Sequence, residues 1–175
     1  MAQSSLKERT FHTVVKIIGI EGRPSMTKQF DDGVGTLKPI LLAEDFEPDA
    51  AAIKAAFKKM GVMNPMVVVP DGDDAVAYLK GEGIFDNRQK FPLPGVLLLD
   101  LKMPRRNGLE VLEWCKNQPH LKDLLIIMLS GHHDIKDVNR AYELGASTFL
   151  SKPISEQDIV NLTTTFTGYW GLSSL

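Results

Sequence analysis

Val96-Leu-Leu-Leu99, followed directly by Asp100, is the stretch that decides the fold of this chain. Four consecutive apolar residues are typical of a strand that is buried on both faces, as in a parallel sheet. A carboxylate at the end of such a strand is unexpected, because a buried charge is costly unless it is paired. The stretch therefore predicts both a central strand and the position of a polar site.

Four other apolar runs are predicted to be strands of the same sheet: Lys38–Ala43, Met66–Val69, Leu125–Leu129 and Thr148–Ser151. Three of them are followed by polar residues, namely Glu44-Asp45, Ser130 and Lys152. The carboxyl ends of the strands in an open parallel sheet line one crevice, and such folds bind ligands there. We therefore expect the acids, the hydroxyl and the lysine to meet in one site.

Helical patterns alternate with these strands. The predicted helices cover about 48–60, 73–80, 109–117, 135–144 and a last segment that opens with the capping-box pattern Ser155-Glu-Gln-Asp158. The apolar stripe of this last helix is Ile159, Leu162, Phe166 and Tyr169. Five alternating βα units favour an α/β fold, a doubly wound parallel sheet with helices on both faces.

The acidic residues of the predicted crevice suit a hard divalent cation. Asp45 and Asp100 are the expected side-chain ligands of Mg²⁺, which prefers oxygen atoms in octahedral geometry and keeps several waters. Glu44 is expected to act through water or from the next layer, and the backbone carbonyl of Lys102 could complete the protein ligands. Two like charges about 4 Å apart repel by about 4 kcal/mol at an effective dielectric of about 20, so a cation would stabilise the cluster.

Asp100 is also the best-placed nucleophile, because an aspartate carboxylate can accept a phosphoryl group and become an aspartyl phosphate. Phosphoryl transfer depends mainly on positioning and charge neutralisation. Mg²⁺ and Lys152 would neutralise two phosphoryl oxygens, and Ser130 could donate a hydrogen bond to a third.

Composition and charge restrict the possible functions. The chain has 175 residues, of which 43% are hydrophobic and 24% charged, which is ordinary for a soluble globular protein. A formal net charge of -2 gives no reason to expect a nucleic-acid partner. No segment approaches the roughly 20 apolar residues of a membrane span, and no signal-peptide pattern is present. The single Cys115 cannot form an internal disulfide, which fits the cytoplasm.

The first part of the chain differs from the rest. Residues 22–37 are rich in turn-forming residues, and the apolar positions between 14 and 20 could form a short strand or part of a helix. We expect residues 1–37 to be a poorly ordered extension rather than a functional arm, and residues 38–175 to form the α/β domain.

The set Glu44-Asp45, Asp100, Ser130-Gly131 and Lys152-Pro153 resembles the receiver domain of two-component response regulators. Three longer stretches agree with this resemblance: Asp71-Gly-Asp-Asp-Ala75, Asp100-Leu-Lys-Met-Pro-Arg-Arg-Asn-Gly108 and Ala141-Tyr-Glu-Leu-Gly-Ala146. The resemblance covers residues 38 to about 170. It implies the flavodoxin-like strand order 2-1-3-4-5 and phosphorylation of Asp100 by a sensor histidine kinase in a Mg²⁺-dependent reaction.

The resemblance also implies roles for the neighbouring residues and for partners. Ser130 and Lys152 would contact the phosphoryl group, and Phe149 occupies the family's aromatic switch position, although a plain core aromatic explains it nearly as well. Such a protein is not an enzyme in the usual sense, since it only assists its own phosphorylation and dephosphorylation. Phosphorylation would change the surface of the fourth and fifth βα units, where an unidentified downstream protein or a second copy of the chain could bind.

The long Gly81–Pro94 connection and the terminal Tyr169-Trp170 resemble stand-alone receivers that are paired with cyanobacterial-type phytochrome kinases. The resemblance to stand-alone receivers leads us to expect that no output domain follows. A neutral insertion would explain the long connection equally well.

Two other classes of protein share part of this pattern. A haloacid-dehalogenase-type phosphatase also uses an aspartate nucleophile, but it needs a second aspartate two residues later as acid and base, where this chain has Lys102. Its remaining acids should also follow the lysine rather than precede the nucleophile. A flavin-binding flavodoxin-like module needs a phosphate-binding loop after the first strand, and the acidic segment 44–49 would repel phosphate.

Overall fold

The computed structural model describes residues 37–131 and 134–172, so the predicted extension lies outside the described residues except for Leu37. Five strands form one parallel sheet in the order β2-β1-β3-β4-β5. They are β1 (Ile40–Ala43), β2 (Met66–Val69), β3 (Val96–Asp100), β4 (Leu125–Ser130) and β5 (Thr148–Ser151). The predicted flavodoxin-like order is confirmed.

Five α-helices connect and follow these strands: α1 (Glu47–Lys59), α2 (Gly72–Lys80), α3 (Gly108–Lys116), α4 (Ile135–Glu143) and α5 (Glu156–Thr165). Side-chain caps fix several of their first turns. Asp71 accepts a hydrogen bond from the Asp74 amide at the start of α2, and Ser155 and Asp158 form the predicted capping box of α5. No helix among the described residues combines the length and apolar character needed to cross a membrane.

The side chains of the sheet alternate between two hydrophobic cores. Leu41, Leu97 and Leu99 face α2, α3 and α4, whereas Ile40 and Leu98 face α1 and α5. Each strand of the central part is therefore buried on both faces, which is why its sequence is a continuous apolar run instead of an alternating one. Only the ends of these strands are left to carry polar groups.

The last helix is shorter than the apolar stripe predicted. It ends at Thr165, so Tyr169 lies beyond it and not on its surface. The hydroxyl groups of Thr163 and Thr164 hydrogen-bond to carbonyls three and four residues earlier, and β-branched residues have restricted rotamers in a helix. Gly168 then adopts a φ of 93°, a left-handed conformation that a helix cannot contain.

The segment after α5 lies across the amino ends of the strands. Asn64 Nδ2 donates hydrogen bonds to the carbonyls of Lys38 at 2.9 Å and Tyr169 at 3.0 Å, and Asn64 Oδ1 accepts one from the Gly171 amide at 2.7 Å. The ring of Trp170 packs on that of Phe57 with a centroid distance of 5.9 Å. One buried amide side chain thus joins both ends of the described domain.

The long connection between α2 and β3 is also tied to the core. Its Arg88 guanidinium donates to the carbonyls of Tyr78 at 2.8 Å and Leu79 at 2.7 Å, which caps the carboxyl end of α2. Tyr78, Phe85 and Phe91 form a cluster of aromatic rings beside it. These contacts give the connection a defined structure.

Candidate functional site

The strand register brings the predicted site residues to one edge of the sheet. Ala43 pairs with Leu99, so Glu44 and Asp100 lie side by side at the ends of β1 and β3. Ser130 ends β4 and accepts a backbone hydrogen bond from the Lys152 amide at 2.8 Å. The peptide bond between Lys152 and Pro153 is cis. The crevice that the apolar runs predicted is therefore present in the fold.

Three carboxylates form a compact cluster in this crevice. Each of Glu44, Asp45 and Asp100 offers an oxygen atom, and these atoms all lie within 4.8 Å of one another. Glu44 is 2% exposed and Asp100 is 4% exposed, whereas Asp45 points towards solvent. An all-oxygen donor set with one open side fits a hard divalent cation that keeps part of its water shell.

Lys152 is the cationic centre of the site. Its Nζ lies 2.8 Å from Glu44 Oε2, 2.9 Å from Asp49 Oδ2 and 2.9 Å from Asp100 Oδ1. The Lys152 side chain is only 14% exposed, so these charges interact with limited screening by water. One ammonium group therefore bridges β1, α1 and β3 from the end of β5.

The protonation behaviour of the cluster follows from burial and crowding. Burial raises the pKa of Asp100, and the neighbouring Asp45 raises it further, against the opposing effect of Lys152. Burial likewise raises the pKa of Glu44 above its ordinary value. Burial alone would lower the pKa of Lys152, but its hydrogen bonds to Glu44, Asp100 and Asp49 raise it overall. The single ammonium group of Lys152 thus does not fully offset the cost of burying these carboxylate charges together. A bound cation would offset more of this cost, which supports a cation site.

The loop after β3 contacts Asp100 directly. The Lys102 amide donates a hydrogen bond to Asp100 Oδ2 at 3.0 Å, and the Lys102 side chain is exposed. The sequence predicts a role for the Lys102 carbonyl and gives no sign of this amide contact. Because the amide fixes one oxygen of Asp100 and Lys152 contacts the other, the carboxylate is held in a defined orientation.

Ser130 and Phe149 of the predicted site are buried as well. Ser130 is 3% exposed at the end of β4, and Phe149 is 8% exposed and belongs to the core that faces α2, α3 and α4. The role of Phe149 as a switch stays a prediction. Asp49, which contacts Lys152, was missed as a site residue because it belongs to the first turn of a helix and follows no strand.

Comparison with known proteins identifies the class. Residues 40–164 match the family model described as response regulator receiver domain, so the chain belongs to this family. It is 31% identical over 133 residues to response regulator Rcp1 of Synechocystis sp., a match that covers 76% of this chain and 88% of Rcp1.

Solved structures support the same assignment. The bacteriophytochrome response regulator RtBRR is 35% identical, with a TM-score of 0.71, and the match covers 80% of this chain and 84% of RtBRR. The Mn²⁺-bound form of Rcp1 is 29% identical, with a TM-score of 0.66 over 78% of this chain and 99% of Rcp1. The phosphorylated cyanobacterial phytochrome response regulator RcpA is 29% identical, with a TM-score of 0.67, and the match covers 77% of this chain and 99% of RcpA. The chain is therefore a receiver domain that resembles phytochrome-paired regulators.

Proposed function

We propose that this chain is a cytoplasmic phosphorylation switch that accepts a phosphoryl group on Asp100 from a sensor histidine kinase. The observation that carries the proposal is the contact between Lys152 Nζ and Asp100 Oδ1 at 2.9 Å, beside the Glu44–Asp45 pair. A nucleophilic carboxylate, a fixed cation and a cluster of oxygen donors for a divalent cation are the groups that phosphoryl transfer requires.

The transfer itself is an in-line displacement at phosphorus. An oxygen of the Asp100 carboxylate forms a bond to phosphorus, the nitrogen–phosphorus bond of the donor phosphohistidine breaks, and the freed imidazole keeps the electron pair and takes up a proton. The Lys102 amide and Lys152 hold the two oxygens of the Asp100 carboxylate before the reaction. Lys152 and Ser130 then contact phosphoryl oxygens, which stabilises the product.

The acidic cluster fits Mg²⁺ as the partner of this reaction. Asp45, Asp100 and the backbone carbonyl of Lys102 would hold it, with Glu44 acting through water. When bound, Mg²⁺ would supply positive charge that offsets the negative charge of the phosphoryl oxygens.

The partner kinase is proposed from the relatives. RtBRR and RcpA are described as regulators of bacteriophytochrome and cyanobacterial phytochrome systems, and we propose a phytochrome-like histidine kinase for this chain as well. We further propose that phosphorylation changes the surface of α4, β5 and α5, where a downstream protein or a second copy of the chain binds. Ile135 on α4 and Val160 on α5 are exposed apolar residues in this region.

Intact-mass measurement after incubation with Mg²⁺ and acetyl phosphate tests the proposal. The wild type should gain one phosphoryl group that is stable in acid and labile in base. Asp100→Asn should gain none, whereas Asp86→Asn, which removes an exposed carboxylate away from the strand ends, should behave as the wild type. Phosphate on Ser130, or modification of Asp100→Asn, would contradict the assignment.

A second experiment, an assay of p-nitrophenyl phosphate hydrolysis, separates the switch from a phosphatase of the haloacid-dehalogenase type. A phosphatase turns over repeatedly, so each protein molecule would release many phosphate ions from p-nitrophenyl phosphate. Exposed Lys102 occupies the position where that class requires an aspartate as acid and base. We therefore expect retention of one phosphoryl group and no sustained turnover.

A further inference from the structure

Arg105 in the loop after β3 connects that loop to the start of α2. Its guanidinium forms an ion pair with Asp71, the residue that caps α2, and its Nη2 also lies 3.6 Å from Asp74 Oδ2. The Asp71 side chain is only 4% exposed and that of Arg105 is 55% exposed, so water reaches the pair from the arginine side alone, unlike the fully exposed pairs that contribute little. A buried carboxylate is thus paired with a cation from the loop that follows Asp100.

The backbone at Arg105 is strained. Arg105 has a φ of 65°, and it is the sole residue other than glycine with a positive φ in the described parts of the chain. Residues with a Cβ occupy this region rarely, and they remain there when their surroundings determine the conformation. The ion pair with Asp71 is one contact that holds Arg105 in this conformation.

The same loop packs closely against α2 through its backbone. A Cβ placed on Gly72 would lie 2.1 Å from the Arg106 carbonyl oxygen, which is far too close for any side chain. Arg106 adds a second ion pair, with its Nε 3.2 Å from Asp73 Oδ1. The middle of the loop is therefore fixed on the first turn of α2.

The ends of the loop are fixed at the phosphoacceptor. The Lys102 amide contacts Asp100 Oδ2, and the Gly108 amide donates to the Leu101 carbonyl at 3.0 Å. A Cβ on Gly108 would lie 2.2 Å from the Asp100 carbonyl oxygen. Since the loop is short and attached at both ends, a displacement at Arg105 would be transmitted to Lys102.

We propose that Asp71 and Arg105 are positioning residues for the phosphorylation site. Their ion pair holds the loop on α2, and the loop in turn holds the Lys102 amide and carbonyl at Asp100. This inference rests on the proposed function, because it assigns a purpose to the geometry of that same site. Partners that orient metal ligands from the next layer typically change metal affinity about 10- to 100-fold when they are replaced.

Three substitutions isolate the ion pair from other effects. Arg105→Asn removes the cation but keeps a residue that tolerates a positive φ. Asp71→Asn removes the charge but keeps a side chain that caps helices well. Lys80→Gln is the matched control, because it removes a cation from an exposed ion pair, with Glu82, at the other end of α2.

Calorimetric titration with Mg²⁺ gives the first measurement. We expect Arg105→Asn and Asp71→Asn each to weaken Mg²⁺ binding by roughly tenfold, and the double variant to be little weaker than either single variant. Lys80→Gln should bind as the wild type does. Wild-type affinity in the first two variants would overturn the inference while leaving the proposed function intact, whereas absence of Mg²⁺ binding by the wild type would overturn both.

The amide resonance of Lys102 gives a second measurement that needs no metal. If the ion pair positions the loop, this resonance should shift in Arg105→Asn and Asp71→Asn, towards the position expected for a weaker hydrogen bond to Asp100. It should stay in place in Lys80→Gln. An unchanged Lys102 resonance in both pair variants would contradict the inference even if their thermal stability had fallen.

Discussion

Lys152 Nζ lies 2.9 Å from Asp49 Oδ2, so the ammonium group at the end of β5 is tied to the first turn of α1. Asp49 is distinct from the Glu44, Asp45 and Asp100 cluster that would hold a cation. Its carboxylate is joined to the site by this ion pair with Lys152. A phosphoryl oxygen on Asp100 would have to share Lys152 with it.

Replacement of Asp49 should accordingly favour the phosphorylated state. We expect Asp49→Asn to bind the phosphoryl mimic beryllofluoride about two- to fivefold more tightly, a modest effect because the Asp49 side chain is 38% exposed. Titration followed by NMR would measure it. Glu47→Gln, which removes an exposed acid from the same helical turn, is the control. Weaker binding by Asp49→Asn would mean that Asp49 holds Lys152 in place instead of competing for it.

The metal-free stability of the wild type should depend on pH through Asp100. Burial raises the pKa of this carboxyl, so the folded state binds its proton more readily than the unfolded state does. The resulting stabilisation is present at low pH and is lost as pH rises through the raised pKa. Asp100→Asn carries no such proton, so its melting temperature should exceed that of the wild type by more at about pH 7.5 than at about pH 4.5.

Thermal melts of both proteins in the presence of a chelator provide the measurement, with Asp86→Asn as the control for removal of an exposed carboxylate. If the difference in melting temperature were the same at both pH values, the negative charge of Asp100 would not destabilise the folded protein.

Asp45 should affect metal binding without affecting the metal-free protein. It is exposed, so its replacement by Asn relieves little repulsion, in contrast to the buried Asp100. Mg²⁺ should raise the melting temperature of the wild type by mass action and that of Asp45→Asn much less. Equal Mg²⁺ responses in the two proteins would argue against a metal site at this cluster.

Lys152 should couple phosphorylation to the rest of the domain. A ligand shifts a two-state equilibrium only through contacts that differ between the states, and a shift from mostly inactive to mostly active needs a difference of about 5.5 kcal/mol. We expect Lys152→Ala to bind beryllofluoride but to lack the amide shift changes around Phe149 and α4. Wild-type shift changes at saturating beryllofluoride would show that the coupling does not pass through Lys152.

The parts of the fold that depend on local pattern were predictable from the sequence. Except for β2, the end of each strand is marked by a change from apolar to polar residues, which predicted that Asp100, Ser130 and Lys152 lie together. The contacts of Asp49 and Arg105 were not predictable in this way. Which helical turn faces Lys152 is set by how Ile53 and Phe57 pack α1 on the sheet, and sequence spacing carries no such information.

The hydrogen bonds of Asn64 bear on where the chain termini of this domain can be placed. Because its side chain hydrogen-bonds to both Lys38 and Tyr169, the two ends of the described fold are neighbours in space, and they lie at the amino ends of the strands, away from Asp100. A short peptide joining these ends would not obstruct the phosphorylation site. The domain is therefore suited to circular permutation, with new termini opened at the exposed Ile84, so that a fluorescent reporter inserted there leaves the site accessible.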